Sequence, residues 1–136
     1  MRPILIDTNA YVAFKREEAS VTEIIQYAET LVISPIVLGE LLSGFECGNK
    51  TKKNRDELQQ FLQSSRIRVL TITPDTANFY SQIYSSLKNK GTPIPSNDMW
   101  IAAQTLEHGC ILCTHDKHFK VIEGLISGST LSELII

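Results

Sequence analysis

The chain has 136 residues, 43% of them hydrophobic, which suits one domain with a contiguous core and is expected to make residues 1–136 a single unit without staples. A formal charge of −2 offers no global attraction to a polyanion, so any nucleic-acid binding has to come from local basic patches or bound metal ions. No apolar run reaches the ~20 residues of a bilayer span and no secretory apolar segment precedes Asp7, so the expected compartment is the cytoplasm, away from any membrane.

In chain order, Pro3-Ile4-Leu5-Ile6 is a short apolar run of the type buried in a parallel sheet, and Asp7-Thr8-Asn9 supplies helix-start residues before Ala10-Tyr11-Val12-Ala13-Phe14. Between Ser20 and Glu29, Val21, Ile24, Ile25 and Ala28 share one helical face. Leu31-Val32-Ile33-Ser34 reads as a second strand, and Pro35 suits the first position of the helix that follows to Glu46. Gly44 and Gly48 bracket that helix's end. A polar stretch from Gly48 to Asn54 leads to a sparsely apolar helix around Glu57-Leu58-Gln59-Gln60-Phe61-Leu62, expected to form a hairpin with the preceding one.

Ile67-Arg68-Val69-Leu70-Thr71-Ile72 is a third strand whose charged Arg68 suits a sheet edge. Thr73-Pro74-Asp75 opens a long helix with Ala77, Tyr80, Ile83, Tyr84 and Leu87 as its expected stripe, closed at Gly91. The stiff Thr92-Pro93-Ile94-Pro95 leads to a helix from Ser96 with a small apolar face, stopped by His108-Gly109. Cys110 to Cys113 is a fourth strand; a short strand is expected near Val121-Ile122, followed by a weakly patterned tail to Ile136. Strands separated by helices indicate a three-layer α/β/α sandwich around a parallel sheet of four or five strands.

Three of the five Asp residues stand where apolar runs break off or a helix begins: Asp7, Asp98 and Asp116. Parallel sheets bind ligands beyond the carboxyl ends of their strands, the edge where Asp7 and Asp116 fall. Glu40 lies inside the apolar run Pro35-Ile36-Val37-Leu38-Gly39-Glu40-Leu41-Leu42, where a carboxylate is costly without a compensating charge. Asn9, Ser34, Asn97 and Thr114 are short polar neighbours of these acids. Hard oxygen ligands suit Mg²⁺ or Mn²⁺, and with no Ser or Cys paired to a His, the economical chemistry is attack on a phosphodiester by water activated at the carboxylate-bound metal.

Each residue also has a plainer reading. Asp7 and Asp98 serve equally as helix caps, Glu40 could pair with Arg2 or a lysine, and Asp116 could form a turn with Lys117. His115 and His118 fit solvent-facing loop positions, and Trp100 fits the core better than a base-stacking platform. Cys110 and Cys113 have the spacing of half a zinc site without converging partners, and the odd number of cysteines argues against a disulfide framework. The basic stretch Lys50, Lys52, Lys53 and Arg55, read as a loop between helices, is a substrate or partner contact or merely solvated surface.

The stretches Ile4-Leu5-Ile6-Asp7-Thr8-Asn9, Ile33-Ser34-Pro35-Ile36-Val37-Leu38-Gly39-Glu40-Leu41, Pro95-Ser96-Asn97-Asp98-Met99-Trp100-Ile101-Ala102-Ala103 and Leu112-Cys113-Thr114-His115-Asp116-Lys117-His118-Phe119 together resemble PIN-domain proteins, and more narrowly the VapC-type ribonuclease toxins of bacterial toxin–antitoxin pairs. That resemblance implies an acidic metal-binding quartet at Asp7, Glu40, Asp98 and Asp116, with Thr114 as the hydroxyl beside the last acid and Asn9 as the polar position after the first. It also implies Mg²⁺- or Mn²⁺-dependent endoribonuclease activity, homodimer formation and a cognate antitoxin that blocks the site. His115 stands where Asn is commoner, and Asn97 where a small or apolar residue is commoner. A structure-specific or single-strand DNA nuclease and a catalytically silent RNA- or protein-binding domain are the alternatives. An aspartyl-phosphate mechanism is disfavoured because Asp7-Thr8-Asn9 has no second Asp.

Overall fold

A computed structural model describes residues 2–135. Its centre is a five-stranded, wholly parallel sheet in the order β3-β2-β1-β4-β5, with β1 Ile4–Ile6, β2 Leu31–Ile33, β3 Ile67–Val69, β4 Ile111–Cys113 and β5 Ser127–Gly128. β1, β2 and β4 are buried at every residue, which is why they read as unbroken aliphatic runs rather than alternating ones. β3 is an edge strand with Arg68 exposed, as its charge led us to expect.

The helices are α1 Thr8–Lys15, α2 Ala19–Tyr27, α3 Pro35–Glu46, α4 Thr51–Leu62, α5 Pro74–Lys90, α6 Ser96–Glu107 and α7 Leu131–Leu134. The chain proceeds from β1 outward to β2 and β3, then crosses back to β4 and outward to β5 on the other side. This reversal allows helices to cover both faces of the sheet and gives the three-layer α/β/α sandwich. It also leaves a crevice at the carboxyl ends of β1 and β4, the place where such folds bind ligands.

Local chemistry explains most helix starts. Asp7 caps α1 through Oδ1 and the Ala10 amide, and Ser34 caps α3 through Oγ and the Ile36 amide, with Pro35 as its first residue. Thr73 and Thr76 form a reciprocal capping box at α5, and Gly91, at φ 71°, ends that helix in the left-handed conformation. α3 and α4 pack as the expected hairpin. Among the described residues, no helix is long and apolar enough to cross a membrane.

Four expectations need correction. Residues 51–54, read as part of a polar lead-in, already belong to α4, so Lys52, Lys53 and Arg55 lie on a helix. The segment holding Val121 is a 3₁₀ helix, Lys117–Val121, pinned by the fully buried Phe119; the fifth strand comes later, at Ser127–Gly128. Two residues are too few to leave a periodic signature. The buried side of α5 is Thr76, Ile83 and Leu87, whereas Tyr84 is 50% exposed and Ala77 faces solvent. Tyr80 turns toward α6 and stacks on Trp100 with ring centroids 4.2 Å apart, leaving Trp100 half-buried rather than in the core. Ile136, at the end of the expected tail, lies outside the described residues.

Candidate active site

The crevice between β1 and β4 opens into a cleft of about 520 Å³ lined by Asp7, Glu40, Asp98 and Asp116, together with Thr8, Asn9, Arg16, Glu18 and His115. Val12, Ala13 and Ile101 supply its apolar wall. Four separate segments therefore deliver the four acids: the end of β1, the middle of α3, the first turn of α6 and the loop after β4.

Asp7 is only 3% exposed. Burial pushes its carboxyl up to about 7, with further upward pressure from Asp116 and Asp98, against the downward pull of hydrogen bonds from Thr114 and the Ala10 amide. The cap and the site are thus one side chain. Thr114 also accepts from the Asp116 amide at 3.0 Å, so this hydroxyl ties the first acid to the loop that carries the last. Asn9 fixes the same loop from the other side: its Nδ2 donates to Asp116 Oδ2 at 3.1 Å and its Oδ1 accepts from the His115 amide at 2.9 Å.

Glu40 does not pair with Arg2, whose guanidinium instead donates to the Gly109 and Cys110 carbonyls. Its Oε1 accepts from the Thr8 hydroxyl at 2.5 Å, while Asn97 Nδ2 approaches Oε2 at 3.5 Å. Asp98 does not cap α6: Pro95 occupies the cap position, and the Asp98 carboxylate in the first turn is left for the cleft. Burial raises its proton affinity, offset by His118, whose Nε2 lies 2.8 Å from Asp98 Oδ2. The same nitrogen lies 4.0 Å from Asp116 Oδ2. One donor atom from each of Asp98, Asp116 and His118 falls within 4.8 Å of the other two, a grouping able to coordinate a divalent cation.

Ser34 stays outside the cleft; it is fully buried and acts as the cap of α3. Lys50, Lys52, Lys53 and Arg55 do not line it either. Lys52 pairs with Asp56 at 2.8 Å, Lys53 reaches Glu57 at 4.0 Å and Arg55 reaches Glu46 at 3.8 Å. Burial pushes the Cys110 and Cys113 thiols up to about 11 and 12, and the cation-binding grouping found among the described residues, Asp98, Asp116 and His118, includes neither of them.

Sequence reasoning missed Thr8, Arg16 and Glu18, and placed His118 in solvent. The two-residue step from Asp116 to His118 was the available signal for the histidine. Arg16 and Glu18 carried none, because they enter the cleft through the turn that ends α1.

The chemistry of the donor set fits a hard divalent cation: carboxylate oxygens dominate, and the buried acid strains toward protonation without a compensating charge. The PIN-domain family profile matches residues 4–125. The chain is 34% identical to the ribonuclease VapC1 of Rickettsia felis over 90% of its own length and 92% of that protein. It superposes on VapBC2 of Rickettsia felis, solved bound to a DNA fragment from its promoter, with a TM-score of 0.83 at 28% identity, covering 93% of this chain and 97% of that one. DNA-bound VapBC from Salmonella typhimurium gives a TM-score of 0.83 at 27% identity, with coverages of 94% and 98%. Profile, relatives and three-dimensional neighbours agree over nearly the whole chain, and the protein belongs to the PIN-domain family, among its VapC-type members.

Proposed function

We infer that the protein is a Mg²⁺- or Mn²⁺-dependent endoribonuclease, the toxin of a toxin–antitoxin pair, working in the cytoplasm as a single PIN-like domain over residues 1–136. One observation carries this reading: Asp7, Glu40, Asp98 and Asp116 converge from four segments on one cleft at the sheet's switch point. In this reading Asp7, Asp98 and Asp116 are the principal metal ligands, with Glu40 completing the acidic set.

When bound, the cation offsets negative charge developing on the scissile phosphate and makes water a competent nucleophile at neutral pH. The protein's own residues set the geometry. Asn9 holds Asp116 and its loop against the first turn of α1, Thr114 braces the Asp116 amide, Thr8 fixes Glu40 Oε1, Asn97 guards Glu40 Oε2, and His118 orients Asp98. Ser34 supports the site at a distance, by fixing the start of the helix that carries Glu40.

The likeness to VapBC complexes supports a cognate antitoxin that covers the cleft, and a toxin homodimer belongs to the same reading. The test is cleavage of total cellular RNA by purified protein with Mg²⁺ or Mn²⁺, with EDTA and Asp98→Asn as controls and new ends mapped by sequencing. Metal-dependent cuts at a few RNA positions, lost in the variant, are expected. Folded, antitoxin-free protein that leaves RNA intact while cutting single-stranded DNA would contradict the reading.

A further inference from the structure

Among the described residues, Arg16 is the one permanent cation lining the cleft that Asp7, Glu18, Glu40, Asp98 and Asp116 also line. Among the described residues its side chain has no hydrogen-bond or salt-bridge partner. One acid lining the same cleft, Glu18, is engaged elsewhere, with its Oε1 at 2.9 Å from His115 Nε2 and accepting from the Ser20 hydroxyl at 2.9 Å.

The backbone holds Arg16 there by an unusual ending to α1. Glu18 N donates to the Ala13 carbonyl and Glu17 N to the Phe14 carbonyl, both at 3.0 Å, the paired closure that reverses a chain at a helix end. Its left-handed residue is normally glycine, yet here it is Glu17 at φ 62°. A glutamate in that conformation is disfavoured, and the reversal it permits brings Arg16 and Glu18 to the same cleft.

We propose that Arg16 is a substrate-binding residue that clamps a backbone phosphate of single-stranded RNA beside the scissile one. The guanidinium's planar fork matches two phosphate oxygens, and an unpaired exposed arginine gives up no existing ion pair to bind them. The basic turn of α4 is a poorer candidate for this role, because its side chains lie outside the cleft and are partly paired with acids. This assignment rests on the ribonuclease reading above.

The test compares binding of a fluorescein-labelled, mixed-sequence single-stranded RNA to Asp98→Asn and to Asp98→Asn/Arg16→Ala across a salt series. Steady-state cleavage by wild type, Arg16→Ala and Arg16→Lys accompanies it. The expected result is a Kd about tenfold weaker for the double variant and a salt slope shallower by about 0.7, the share of one single-strand phosphate contact. KM should rise in Arg16→Ala with kcat changed by less than about threefold, and Arg16→Lys should restore the salt slope while regaining only part of the affinity. An arginine that merely complements the end of α1 would shift the melting temperature and leave Kd and slope alone. Wild type that cleaves RNA alongside an Arg16→Ala variant with unchanged Kd, KM and slope would overturn this proposal alone. Wild type that neither binds nor cleaves RNA would overturn the ribonuclease reading and this proposal with it.

Discussion

Asp7 caps α1 and lines the acidic cleft at once, and the two settings differ in their demand for charge. A cap needs only an acceptor oxygen, which asparagine supplies equally well. The carboxylate's negative charge, by contrast, is a burden in the buried setting of the metal-free protein, where its pKa stands at about 7 against 3.8 for the free side chain. The folded state therefore holds a proton that the unfolded chain has released. The resulting stabilisation is complete below about pH 4 and is lost as pH rises through about 7. Metal-free protein should melt at a higher temperature at pH 5.5 than at pH 8. Asp7→Asn should flatten that dependence and raise stability at pH 8, by up to ~4 kcal/mol if the whole shift is expressed, while abolishing cleavage. Differential scanning calorimetry in EDTA checks the pair; an Asp7→Asn protein less stable than wild type at pH 8 would refute the assignment of strain to this acid.

At the scale of elements, α3 and the segment from β4 into the 3₁₀ helix show what the chain made legible. Glu40 was conspicuous because a carboxylate interrupted an aliphatic helix, and it does reach the cleft. The strand-end acids were conspicuous because burial on both faces makes β1 and β4 read as apolar runs that stop abruptly. Other features left no such trace. β5 has two residues, and Gly128 is required there because a Cβ would lie 2.6 Å from Glu133 Cβ, a contact between segments that no local pattern encodes. The misjudged stripe of α5 has a related cause: Tyr80 and Tyr84 suit an apolar face by spacing, but aromatic stacking on α6 took Tyr80 and left Tyr84 at the surface.

The basic turn of α4 holds Lys52, Lys53 and Arg55, with Lys50 at its cap. Its cations are helical and partly paired, so they should act on RNA through long-range attraction rather than contact at the cleft. Replacing Lys50, Lys52, Lys53 and Arg55 together with alanine should slow RNA association severalfold at low salt and converge with wild type at high salt, with kcat unchanged. Stopped-flow binding across a salt titration reads this directly, and identical traces at every salt concentration would rule out a role for the turn.

For the whole molecule, the fold class followed from the alternation of apolar runs and helical stretches, and the strand order follows from how the two halves of the chain leave β1 and β4 in opposite directions. That divergence brings acids distant in sequence to one crevice and surrounds them with few compensating charges. Asp116 and Asp98 both add to the upward pressure on Asp7, an arrangement better suited to a bound cation than to bare carboxylates. Long-range placement of this kind also explains why Thr8, Arg16, Glu18 and His118 escaped sequence reasoning: only the fold brings them beside the acids of the cleft.

If the four acids form one divalent-cation site, Mn²⁺ titration calorimetry of metal-free wild type beside Asp7→Asn, Glu40→Gln, Asp98→Asn and Asp116→Asn shows it. Saturable binding by wild type that releases protons at pH 7, weakened about tenfold or more by substitution at the three aspartates and measurably by Glu40→Gln, is the expected result. Wild type that takes up no Mn²⁺, or binding that survives all four substitutions unchanged, would contradict it.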